Sequence, residues 1–144
     1  GLSAADDQCT LYAFIGNLVP DWNGVDQIYK AVLSDSTTNA KDRFVLDRSI
    51  FNRNNQLVAF GTELFSATLS TGINYDENGS LFGSAPVWTG SNADGTYSGN
   101  SCSDWTSSSG DGMSGLGDQT SAQWIQNGDE ACDTAKRIYC IGPF

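Results

Sequence analysis

The sequence predicts one α+β domain cross-linked by disulfides, and three observations carry that expectation. A chain of 144 residues with 39% hydrophobic content is the right size to bury one core of its own. Helical spacing near the start gives way to short runs of branched and aromatic residues punctuated by Gly, Asn and Asp. Four cysteines, Cys9, Cys102, Cys132 and Cys140, occur without any histidine. Their separations contain no C-x-x-C arrangement, so disulfides are favoured over a metal site, and with them an oxidising compartment, extracellular or at a cell surface. The cysteines alone allow three pairings.

The elements follow in order. Cys9, Tyr12, Ala13 and Gly16 share one helical face, with Leu11, Phe14, Ile15 and Leu18 beside them, and Ser3 with Asp6 has the form of a capping pair. A helix over Ala4–Ile15 is predicted. Residues 19–24, Val-Pro-Asp-Trp-Asn-Gly, are turn chemistry, and Ile28–Leu33 reads as a central strand. Ser36 or Thr38 is expected to cap a second short helix through Asn39–Leu46, Asn54-Asn55 a turn before Leu57 and Val58, and Thr62 a last helical turn carrying Leu64 and Phe65. Ile73–Tyr75 and Ser80–Phe82 flank Asp76-Glu77-Asn78-Gly79, whose Asn-Gly pair suits a tight hairpin. That turn also accounts for the formal glycosylation sequon at Asn78. Val87–Gly90 is a further strand, Ser91–Thr120 is expected to be mostly loop, and Arg137–Ile141 closes the fold as a strand stopped by Pro143.

Composition removes several functions. Seventeen acidic against seven basic residues give a net charge of −10, with no dense basic run, which disfavours nucleic acid and heparin-like polyanions as partners. The longest apolar stretches, around residues 11–19 and 44–46, fall far short of the ~20 residues of a membrane span, so no membrane insertion is expected. Without histidine the Ser/His/Asp and Cys/His constellations cannot be assembled. The glycine pattern over Gly110–Gly115 lacks the strand-to-helix switch that nucleotide binding needs. Paired carboxylates for glycan cleavage have candidates in Asp94, Asp104, Asp111, Asp118, Asp129 and Glu130, but no spacing singles out a pair. Asp94, Asp111, Asp118, Asn127 and Asp129 are hard oxygen ligands that calcium would accept; their glycine neighbours favour a role as turn formers. No cofactor and no catalytic metal are expected.

The stretches Tyr29–Asp35, Val87–Ser91 and Cys102-Ser103-Asp104-Trp105, with Cys132 and Tyr139-Cys140, resemble endostatin and a group of bacterial endostatin-like surface domains. Ser34–Thr38, Ala40–Arg43 and Ile73–Gly79 bring the chain nearer the bacterial group. The resemblance runs from about Leu2 to Ile141. It implies a C-type-lectin-like fold: a mixed twisted sheet with two short helices, long loops and two nested disulfides, Cys9 to Cys140 and Cys102 to Cys132. The chain departs from the pattern in three ways. Of the lectin sugar-and-calcium motifs, only Asn127-Gly128-Asp129 stands near the right place. The zinc-binding histidines and heparin-binding arginines of endostatin have no counterpart. The first strand of the fold is not present before the first helix, so either it lies upstream of Gly1 or a neighbouring chain covers the exposed edge. Gly1 itself reads as the start of a processed or excised piece.

Trp88, Trp105 and Trp124 accompany the family's core motifs and are expected to pack. Trp22 lies in a longer turn and is expected either to bind ligand or to cover the core. The function these features imply is a non-enzymatic adhesion module on a bacterial surface that recognises a cell-surface glycan or protein. Contacts would come from Asp21, Trp22 and Asn23 with Asn92, Asp94, Tyr97, Asn127 and Asp129. The alternatives are a structural or trimeric cap at a fibre tip and an enzyme acting on glycans through carboxylates.

Overall fold

A computed structural model describes residues 1–18, 28–66 and 68–144. The architecture is mixed α+β. Among the described residues, helix α1 (Leu2–Ile15) precedes eight short strands: β1 (Lys30–Ala31), β2 (Ser49–Phe51), β3 (Leu57–Phe60), β4 (Pro86–Trp88), β5 (Asp111–Leu116), β6 (Gly128–Ala131), β7 (Arg137–Ile138) and β8 (Cys140–Ile141). They form a two-stranded β1–β8 sheet, a β2–β3 hairpin and a four-stranded sheet in the order β6-β5-β4-β7, in which only β4–β7 is parallel. Two disulfides, Cys9–Cys140 and Cys102–Cys132, pair the cysteines in the nested order the resemblance implies.

Side-chain alternation explains how such short strands are held. Val32 and Val87 point into a cluster with Val58, Leu64, Trp124, Ile125 and Tyr139. Ala31, Leu33 and Trp88 point the other way, into a cluster with Cys9 and Ala13 of α1 and with Cys102. Successive residues in extended chain face opposite sides. The apolar run Ile28–Leu33 therefore reads as continuous because both its faces are covered.

That run is buried but not a long strand. Only Lys30 and Ala31 pair, with Ile141 and Cys140; beyond them Val32 N donates to Tyr139 O at 2.9 Å and Ser34 N to Thr89 O at 2.9 Å. The chain thus passes from one sheet to the other instead of running through the middle of one. The closing strand is likewise split at Tyr139, whose carbonyl accepts from Val32 and whose hydroxyl donates to Trp124 O at 2.8 Å.

The caps also differ from expectation. α1 begins at Leu2 with Gly1 in the cap position. Asp6 has another partner, since Arg43 Nη2 reaches its two carboxylate oxygens at 2.7 and 2.6 Å and Ala31 N donates to Oδ1 at 2.8 Å. A half-buried bidentate pair outcompetes a cap hydrogen bond. The second helix is only the 3-10 turn Ala40–Arg43, with no capping bond from Ser36 or Thr38. Ser36 donates to Asp104 instead, while Thr38 N bonds Asp35 Oδ1. Thr62 lies inside the 3-10 turn Gly61–Glu63 and does not cap it. The turns at Asn55 (φ 58°) and Gly79 (φ 81°) are present as predicted; at the second, Asp76 N donates to Ser80 O and Phe82 N to Asn74 O.

The largest difference is β5. Residues 111–116 lie in the stretch expected to be loop, yet they pair with β4 on one side and β6 on the other. Its composition, Asp-Gly-Met-Ser-Gly-Leu, has low strand propensity, and tertiary packing overrides it. Gly115 is needed there, because a Cβ at that position would stand 1.9 Å from Trp124 O. Trp124 is fully buried and Trp88 nearly so, and Trp105 packs on Trp88 at 5.9 Å, as expected of packing tryptophans.

The turn Cys102–Trp105 is left-handed throughout, with φ of 51°, 55°, 56° and 62° and no glycine. Side chains disfavour this region by roughly 1–2 kcal/mol per residue. The turn is held by the Cys102 disulfide, by Asp104 accepting from Ser36 and Ser101, and by Trp105 Nε1 donating to Ser34 O at 3.0 Å. Ser103 is exposed and uses only backbone groups, so Ser103→Gly is expected to raise stability by up to about 1 kcal/mol, seen as a higher urea midpoint. A lower midpoint would show that the turn is not strained at Ser103.

Candidate functional site

The candidate surface is assembled on the loop 91–101 and on residues 126–129 at the start of β6. Four buried or half-buried contacts fix the loop. Ser91 Oγ and Ser34 Oγ share a hydrogen bond of 2.8 Å, and Ser91 Oγ also lies 2.8 Å from Thr89 O. Tyr97 N donates to Asn39 Oδ1 at 2.9 Å, and Lys41 N to Gly95 O at 3.2 Å. The loop is thereby attached to the segment that follows β1. On the other side, Met113 N donates to Asn100 O and Asn127 N to Ser114 O, so β5 carries both halves of the surface.

Of the residues predicted from sequence, Asn92, Asp94, Tyr97, Asn127 and Asp129 belong to these two segments. Asp21, Trp22 and Asn23 lie outside the described residues. Two side-chain bridges join the segments. Gln126 Oε1 accepts from Ala93 N at 2.8 Å while its Nε2 lies 3.3 Å from Asn92 Oδ1, and Asn100 Nδ2 donates to Asp129 Oδ2 at 2.8 Å. Asn92 is largely committed, with Nδ2 donating to Thr96 Oγ1 and Tyr97 O. Tyr97 is half-buried and its hydroxyl meets Ser101 Oγ at 3.2 Å. The exposed side chain of Asn127 has no hydrogen-bond partner among the described residues. Gln126, Asn100 and Asn39 were not foreseen, because each acts through a partner 29 to 58 residues distant.

Asp94 is exposed, and the hydroxyl and amide of Thr96 hold its carboxyl below the usual range, with Lys41 adding a smaller attraction. Asp104 is lowered in the same way by the hydroxyl and amide of Ser36 and the hydroxyl of Ser101. A lowered carboxyl stays ionised at neutral pH and holds no proton to give, which disfavours either as a general acid. Among the described residues no three His, Cys, Asp or Glu side chains come together as metal ligands.

Tyr139 and Tyr29 shift upwards, both mainly through burial; Asp118 reinforces the first and Arg53 partly offsets the second. The depressed aspartates contribute stability above their unfolded value of 3.8 and lose it as pH falls through the folded values. The raised tyrosines contribute below 10.0 and lose it as pH rises towards the folded values. Asp104→Asn is therefore expected to melt lower than native at neutral pH, with the gap closing below pH 3.8. A gap that persists at low pH would contradict this assignment.

No family model matches the chain, and no curated protein matches it.

Proposed function

We propose that this chain is an extracellular ligand-binding module of C-type-lectin-like, endostatin-like fold, used for adhesion to a cell-surface glycan or protein. The observation that carries the reading is the pair of side-chain bridges, Gln126 to the 92–93 backbone and side chain and Asn100 to Asp129. They hold loops from distant parts of the sequence as one polar surface, with amides and carboxylates pre-positioned for hydroxyl groups. Pre-organisation lowers the ordering cost that otherwise opposes binding. The two disulfides are compatible with an oxidising extracellular setting, and no described helix is long and apolar enough to cross a membrane.

The test is a binding screen against glycans and cell-surface proteins, with native protein and Asn127→Ala, in calcium and in chelator. The expected result is a defined ligand set that is bound equally in both conditions. Asn127→Ala should weaken it about tenfold, the loss of one or two hydrogen bonds. Binding unchanged by Asn127→Ala would remove this surface from the function.

A specific feature supports a second reading, an oligomerising cap. Leu11, Tyr12 and Ile15 of α1 are exposed, at 40%, 46% and 55%. Light scattering distinguishes the two: a stable trimer supports a fibre tip, and a monomer at high concentration weakens it.

A further inference from the structure

A second surface is set apart by its charge. A groove of about 1480 Å³ runs between α1, the 43–55 segment with β2, and the chain end from Thr134 onwards. It is lined by Lys30, Arg43, Arg48, Arg53, Lys136 and Arg137, six of the seven cations of the chain. Among the described residues, the anions that line it are Asp47, Asp76, Glu77 and Glu130. The described lining therefore sets six cations against four anions, a formal net charge of +2, in a chain whose net charge is −10. None of Asn92, Asp94, Tyr97, Asn127 and Asp129 borders it.

The cations are not all engaged by the protein. Arg43 is neutralised by Asp6, and Arg53 donates to the carbonyls of Glu77 and Gly16. Arg48 is 87% exposed, with only a loose 3.7 Å contact to exposed Asp47. The Lys136 ammonium and the Arg137 guanidinium sit over the rings of Trp88 and Phe82 at 4.1 and 4.8 Å, cation–π contacts that fix both charges at the groove wall. Exposed apolar side chains alternate with these charges, among them Val45 at 79%, Phe51 at 57% and Tyr12 at 46%.

We propose that this groove docks an extended peptide segment of a partner protein that carries both acidic and bulky apolar side chains. The volume exceeds the roughly 300–1,000 Å³ of small-molecule sites, which favours a polymer. The sign of the charge selects acidic groups, and the acidity of the chain as a whole, −10, steers them to it by repelling them elsewhere. Val45, Phe51 and Tyr12 gain from covering apolar side chains, which a sulfated glycan does not have. The four lining carboxylates and the modest +2 also disfavour a dense polyanion.

The experiment selects a display library of twelve-residue peptides on the native protein, and measures the synthesised winners by calorimetry against three variants. Enriched peptides are expected to be net acidic with aromatic or branched residues. Arg48→Glu with Arg137→Glu, both exposed positions, should weaken them about tenfold or more. Val45→Asp should weaken them too. Lys41→Glu, which changes the one cation outside the groove, should leave affinity within about twofold, and circular dichroism melts establish that each variant is folded. The proposal is overturned by winners with no acidic excess, or by equal affinity for the Arg48/Arg137 variant. It is equally overturned if no peptide is enriched while a sulfated oligosaccharide binds in an Arg48-dependent way.

Discussion

Replacing Cys9 and Cys140 together by alanine is expected to destabilise the fold more than replacing Cys102 and Cys132. The outer bridge spans 131 residues and the inner one 30. Loop-closure entropy then assigns about 5 kcal/mol to the outer bridge and about 3.5 kcal/mol to the inner. The packing works in the same direction, since Cys9 is 1% exposed in the cluster that seats α1, and Cys140 belongs to β8, half of the sheet that holds β1. Without the bridge, α1 keeps Ala13, the Asp6–Arg43 pair and the Thr10 Oγ1 bond with Tyr29 N at 3.1 Å. Urea midpoints of the two double variants measure the order directly. An inner-bridge variant that is the less stable of the two would show that the outer staple does not organise the domain.

Gly115→Ala is expected to be the most damaging single substitution outside the cysteines. The added Cβ would meet Trp124 O at 1.9 Å and Trp124 C at 2.5 Å, and both are backbone atoms. The carbonyl cannot swing away, because it accepts the buried hydroxyl of Tyr139. Relief requires β5 to separate from the turn Ala122–Trp124, which opens the cluster holding Trp124 and Ile125. Overpacking costs roughly 1–3 kcal/mol when neighbours can adjust, and here they cannot, so a loss of about 3 kcal/mol or more is expected. A melting temperature within a few degrees of native would mean that β5 does not run where it is placed.

The sequence was most legible where local chemistry agrees with tertiary packing. The Cys9, Ala13 and Gly16 spacing at α1, the Asn-Gly turn at residues 78–79 and the apolar pair Val87-Trp88 each agree with the packing, whereas Tyr12 of the predicted α1 face and its neighbours Leu11, Phe14 and Ile15 are exposed. It was least legible where packing overrides preference. Gly112 and Gly115 mark a loop by composition, but in β5 they are the residues small enough to pass beneath neighbouring groups. Residues 102–105 hold no glycine, so nothing local announces a left-handed turn; a disulfide and Asp104 impose it. The candidate surface was half legible. Exposed Asn and Asp residues in Gly-rich segments drew attention to 92–97 and 127–129, whereas the Gln126 and Asn100 bridges depend on the β5–β6 register, which was itself unforeseen. The basic groove had no sequence signature, since its six cations are spread over Lys30 to Arg137 without forming a run.

The proposal of a pre-organised binding surface is tested most directly by ¹⁵N NMR of the native domain titrated with the strongest ligand from the glycan and cell-surface screen. Amide shifts are expected to concentrate in residues 92–100 and 126–129, with little change in α1 or β2–β3 and no large rearrangement, since the loops are already tied together. Shifts confined to other parts of the molecule, with 92–100 and 126–129 silent at saturation, would contradict the account.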